Sequence, residues 1–223
     1  MSKTVLVVAA HADDETLGCG GTIARHVSEG DRVVVMFMTD GISSRDVIPA
    51  NEIEVRKTAA AQALDILGVS DSHQFHFPDN AMDSIPLVQV VKAVEEIVNK
   101  CKPSTIYTHF SDDLNVDHRI THQAVMTACR PQSWCTVKEI YCFEVLSATE
   151  WNSSSQKTFS PQLYVDINSV WSLKLKALNC YESEMRCFPH SRSYVSLESL
   201  AILRGGTVGL EKAEAFQIER VLV

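Results

Sequence analysis

In the first half of the chain, short apolar runs alternate with stretches of helical period. The runs are TVLVVAA (4–10), RVVVMFMTD (32–40), HQFHF (73–77) and TIYTHF (105–110), each the length of a strand. Between them, 16–30, 51–68 and 85–101 read as helices. In the third, Leu87, Val90, Val91, Val94, Ile97 and Val98 repeat on one face. Pro86 suits a first helical turn, and Gly30 and Gly68 stand where C-terminal caps are expected. A further helix is expected from about Arg119 to Cys129, a strand over 138–146, a serine-rich loop over 151–162, and helices over 170–185 and 194–206.

This alternation predicts an α/β fold: a doubly wound, mostly parallel sheet with helices on both faces. No repeat, linker or shift in composition divides residues 1–223, so one domain is expected. Ligands of such folds bind beyond the carboxyl ends of the strands. His11-Ala12-Asp13-Asp14-Glu15 follows the first run and Thr39-Asp40-Gly41 the second. Pro78-Asp79-Asn80 follows the third, and His109 to His118 the fourth. Four polar loops at one edge favour a site over four unrelated solvated loops.

Composition narrows the classes. The net charge is -8, without a Lys/Arg cluster, which argues against a nucleic-acid partner and a polybasic membrane anchor. The apolar run at the start is too short to span a membrane. Seven cysteines, odd in number and without a CxxC pair, argue against a disulfide framework or a cysteine zinc knuckle, so a cytoplasmic protein is expected. Gly18-Cys19-Gly20-Gly21 does not make a dinucleotide fingerprint. Its glycines begin eight residues past the strand, and Ile occupies position 23. They are read instead as letting the polar loop and its helix approach the sheet.

Imidazole and carboxylate groups leaving a strand together suit zinc, which in catalytic sites keeps three protein ligands and a water. Of two adjacent aspartates, one can ligate while its neighbour faces the water. A third ligand can come from His109, His118 or His122. His118 and His122 share a helix face at i, i+4, but Arg119 stands where a helical zinc dyad would place its catalytic glutamate. His122 is therefore read as a surface or core histidine. Asp117 suits the orienting of a neighbouring imidazole.

HADDETLGCGG (11–21) and DLNVDHRITHQAV (113–125) together resemble the PIG-L/LmbE-like deacetylases, whose signatures are AHPDDE near the N-terminus and HxDH in mid-chain. FPDN (77–80), RSYVSLESLAILRGG (192–206) and AEAF (213–216) are also similar to family sequence. The resemblance implies a Rossmann-like fold and a zinc hydrolase of N-acyl amino sugars. It implies zinc on His11, Asp14 and His118, with Asp13 as general base. Ala12 replaces the family's proline, and Asn115 stands where the first histidine of HxDH is common. An amide cannot deliver a proton, so His190, in the loop Cys187-Phe-Pro-His190-Ser-Arg192, is the candidate acid. Arg192, Asp40 and Asp79 are candidate substrate contacts. The expected partner is a small amino-sugar substrate, free or joined to a nucleotide or lipid, and a homo-oligomer is compatible with such a chain. Two alternatives are weighed beside this reading. One is a metal-dependent hydrolase of another amide or ester, with Asp40, Asp112 and Asp113 as ligands for a second metal. The other is a noncatalytic metal- or sugar-binding protein.

Overall fold

Strand β1 (Thr4–Ala9) is apolar at nearly every position because both its faces are covered. Val5 and Val7 join one core cluster, Leu6 and Val8 the other. The computed structural model describes residues 2–41 and 52–223. Among these, one sheet contains β1, β2 (Arg32–Thr39), β3 (Asp71–Phe77), β4 (Thr105–His109), β5 (Glu139–Phe143), β6 (Leu163–Asp166) and β7 (Ala213–Val221). Their order is β3-β2-β1-β4-β5-β7-β6. The first five are mutually parallel, and β7 is antiparallel to both of its neighbours.

Helices α1 (Asp14–Ser28), α2 (Glu52–Leu67), α5 (Trp171–Asn179) and α6 (Tyr194–Gly206) contribute to the Val5/Val7 cluster. Helices α3 (Leu87–Cys101) and α4 (Val116–Ala128) cover the other face. The expected α/β architecture is thus present. The strand order reverses between β1 and β4, the switch point where such sheets bind ligands. No helix among the described residues is long and apolar enough to cross a membrane.

Several boundaries differ from expectation. Helix α4 begins at Val116 rather than near Arg119, because the Asn115 side chain accepts the Asp117 N–H and caps it. The expected helix over 170–185 stops at Asn179 and is followed by a separate 3-10 turn, Glu182–Glu184. The expected strand over 138–146 keeps only Glu139–Phe143. Asn51, the first residue of the expected second helix, lies outside the described residues. The alternating burial of β3 fits its edge position. Strands β6 and β7 lie in a region where the sequence gives no clean alternation of apolar and polar residues.

Helix α1 breaks at Cys19, whose backbone leaves the helical region (φ -145°, ψ 22°). A Cβ on Gly18 would lie 2.3 Å from the Phe143 ring, and one on Gly21 2.7 Å from Ile167. These glycines therefore let α1 press onto β5 and the segment after β6. The break frees backbone N–H groups, and the Glu214 carboxylate on β7 accepts those of Gly21 (2.8 Å) and Thr22 (2.7 Å). Lys174 of α5 donates to the same carboxylate at 2.6 Å.

Candidate metal centre

The turn after β1 and the first turn of α1 carry His11, Asp13 and Asp14; the loop after β4 leads to His118 in α4. These segments flank the switch point, and three side chains converge there. Asp14 Oδ2 lies 3.0 Å from His11 Nδ1 and 3.2 Å from His118 Nε2. All three residues are buried. Asp14 Oδ1 is also buried and has no hydrogen-bond partner. A carboxylate with one oxygen between two imidazoles and the other buried without a partner fits a cation, as does a two-histidine, one-carboxylate donor set.

Electrostatics point the same way. Burial works against charge on His118, but Asp14 and Asp113 raise its pKa to about 9. Burial opposes charge on His11 too, yet Asp117, Asp14 and Asp79 raise its pKa well above the usual value. Asp14 would be raised by burial, but the charge on His118 and the His11 hydrogen bond hold it well below the carboxylate range. The pocket thus favours positive charge beside Asp14, carried by protons or by a metal.

The surroundings fix these groups. His118 Nδ1 stands 3.1 Å from Asp113 Oδ1, at ion-pair distance but without hydrogen-bond geometry. Asp113 is itself held by the Asn115 N–H and the Thr149 hydroxyl. His109 stacks on His118 with ring centroids 3.8 Å apart and accepts the Ala10 N–H through Nε2. Burial, then the neighbouring His118, pushes the His109 pKa well below normal, so it sits as a neutral wall. On its other edge, His11 Nε2 lies 3.1 Å from both Asp79 Oδ1 and Asp117 Oδ2. His11, Asp79 and Asp117 form a second geometric triad. However, Asp117 already accepts the N–H groups of Asn80 and Met82, so its carboxylate is committed to the backbone. The set with the orphaned oxygen is the better metal cradle.

A cleft of about 160 Å³ opens beside His11 and is lined almost wholly by polar groups. Asp13 enters it from a strained backbone (φ 129°), with Arg192 Nη1 3.0 Å from its Oδ2. Burial raises the Asp13 pKa, Arg192 opposes that, and Asp14 adds to it. Arg56 lines the cleft too, donating to Glu184 (2.7 Å) and to the Ala12 carbonyl (3.0 Å). Asn115 forms part of the wall, donating from Nδ2 to Asn80 Oδ1 at 3.0 Å.

Of the residues singled out from sequence, His11, Asp13, Asp14, Asp79, Asn115, Asp117, His118 and Arg192 meet at this edge of the sheet. Two stand apart. His190 does not line the cleft; its Nδ1 accepts the Arg192 N–H, and its ring meets the Trp151 edge. Asp40 borders a neighbouring hollow with Arg56 and His76. Asp112 and Asp113 join no convergent ligand set among the described residues. Sequence reasoning missed Arg56 and Glu184, and it gave Asp113 a place as a second-metal ligand rather than as the partner of His118. Arg56 left a signal, since it shares the buried stripe of α2 with Ala60, Ala63, Leu64 and Leu67.

Comparison with known proteins places the chain in a family. Residues 6–129 match the family model described as PIG-L, GlcNAc-PI de-N-acetylase. An uncharacterized deacetylase of Escherichia coli K12, YaiS, is 32% identical over 187 residues, covering 81% of this chain and 91% of the relative. A 4-oxalmesaconate hydratase of Pseudomonas putida is 25% identical over 192 residues, covering 80% and 72%. In fold, the chain is similar to the N,N'-diacetylchitobiose deacetylase of Pyrococcus horikoshii, with TM-score 0.79 and 21% identity, covering 98% of this chain and 84% of that one. The matched segment spans β1 to α4 and so contains both limbs of the candidate centre; the chain belongs to the PIG-L family.

Proposed function

We propose that this protein is a zinc-dependent hydrolase that removes the N-acetyl group from an amino sugar or its conjugate, with His11, Asp14 and His118 holding the metal. The observation that carries the reading is the buried His11–Asp14–His118 cluster with an orphaned Asp14 oxygen and a second carboxylate, Asp13, at its mouth. Family membership supports amide hydrolysis, and the polar lining of the cleft suits a hydroxyl-rich substrate.

Zinc in such a cradle supplies a water whose pKa falls from 15.7 toward about 7 and polarises a carbonyl oxygen. Asp13 takes a proton from the attacking water, a role suited to a carboxylate whose pKa burial has raised. Arg192 holds the Asp13 carboxylate in place through Nη1. The water oxygen bonds to the amide carbon, the C–N bond breaks, and the nitrogen leaves with the proton that Asp13 returns. Acetate and a free amine result. Asn115 serves as wall and helix cap, its amide engaged by Asn80 and the Asp117 N–H. His190 acts through the Arg192 backbone, steadying the loop that aims the guanidinium at Asp13.

Asp13→Asn tests the base. The variant is expected to keep its metal and to lose about 10²–10⁴-fold in turnover, the usual worth of general-base help. Near-normal turnover with metal bound would remove Asp13 from that role.

A further inference from the structure

One helical turn along α4 from His118, another set of donors converges that the cleft does not use. His122 on α4, Cys142 on β5 and Glu219 on β7 place a ring nitrogen, a sulfur and a carboxylate oxygen within 4.8 Å of one another. His122 Nε2 is 3.6 Å from Glu219 Oε1, and Cys142 Sγ is 4.0 Å from the same oxygen. Zinc bonds of about 2.0–2.3 Å at near-tetrahedral angles set ligand atoms roughly 3.3–3.8 Å apart, close to these separations.

The direct contacts are poor by comparison. A separation of 3.6 Å is too long for a hydrogen bond, and a thiol at 4.0 Å is a weak donor. His122 Nε2 is accordingly buried with no hydrogen-bond partner. A neutral polar network would have closed that gap; a metal ion would fill it.

The backbone adds an independent sign. In the β5–β7 ladder Tyr141 pairs with Ile218 and Ile140 with Arg220, so Glu219 is the extra residue of a bulge. Bulges re-aim side chains. This one delivers the carboxylate that meets His122 and Cys142. Nitrogen, thiolate and carboxylate together select zinc or a similar soft divalent ion over magnesium or calcium. Glu219 is partly exposed, which leaves a fourth position open to water.

We infer that His122, Cys142 and Glu219 form a second zinc-binding site, separate from the cleft, that ties β7 to the helix carrying His118. Binding replaces the Cys142 S–H proton by the metal and releases that proton. The inference does not depend on the deacetylase reading, because it needs no substrate and no turnover.

The experiment is cobalt(II) loading of the chelator-stripped full chain, followed by absorption. The cleft set contains no thiol, so a sulfur-to-cobalt charge-transfer band in the near ultraviolet reports a thiolate outside the cleft, and Cys142→Ser assigns it among the seven free cysteines. The band is expected in the wild type, retained in His11→Ala/Asp14→Ala, and lost in Cys142→Ser and in Glu219→Gln. A wild type saturated with cobalt yet lacking the band overturns the inference without any variant. A band that survives Cys142→Ser assigns the thiolate elsewhere and overturns it equally.

Discussion

Glu214 is the residue on which the first helix depends where it breaks. It is 5% exposed, and its carboxylate receives the Gly21 and Thr22 amides, the Thr22 hydroxyl and the Lys174 ammonium. Glu214→Leu leaves Lys174, itself 4% exposed, with only the Leu17 carbonyl among its hydrogen bonds. Removing one partner of a buried ion pair costs about 3–5 kcal/mol. Orphaned buried donors add about 1–3 kcal/mol each unless water reaches them. A loss of at least about 3 kcal/mol is therefore expected, a large part of a total stability near 5–15 kcal/mol. At about 2–4 °C per kcal/mol for a chain of this size, the melting temperature falls by roughly 6–12 °C or more. Adding Lys174→Met should recover part of the loss, since an apolar pair avoids the stranded ammonium. Urea unfolding of metal-free protein followed by circular dichroism measures both variants. A single variant within about 1 kcal/mol of wild type, or a double variant no better than the single, would refute the reasoning.

Two further substitutions probe the packing and the centre. Gly18→Ala brings a Cβ to 2.3 Å from the Phe143 ring, and overpacking of this kind costs about 1–3 kcal/mol, read as a lower urea midpoint. Asp113→Asn removes the charge 3.1 Å from His118 Nδ1. Loss of such an orienting group typically weakens metal affinity about 10–100-fold, which competition with a chelator would measure.

The fold was legible where periodicity is strong. The double-sided burial of β1 shows as an uninterrupted apolar run, and the strand–helix alternation implies the parallel sheet whose order reverses beside it. Strand position brought the 11–15 and 109–118 loops to one edge, and the PIG-L resemblance then singled out His11, Asp14 and His118 over His109 and His122. Strands β6 and β7 were not legible, since their residues give no clean alternation of apolar and polar positions. Asp113 was nominated only as a second-metal ligand, because a loop carboxylate's partner, here His118, depends on how the chain turns back from Asn115. Arg56 was readable as a charge on a buried helical stripe, but its acceptors, Glu184 and the Ala12 carbonyl, come from distant segments. The break at Cys19 is set by Phe143, Ile167 and Glu214, contacts that no local pattern encodes.

The central claim is that the cleft at His11, Asp14 and His118 hydrolyses the amide of an N-acetyl amino sugar. Acetate release by the zinc-loaded protein across free, lipid-linked and nucleotide-linked N-acetyl sugars tests it most directly. The account predicts acetate and free amine in equal amounts from at least one of them, abolished by His118→Ala. No acetate from any of the panel, with zinc bound at the cleft, would contradict it.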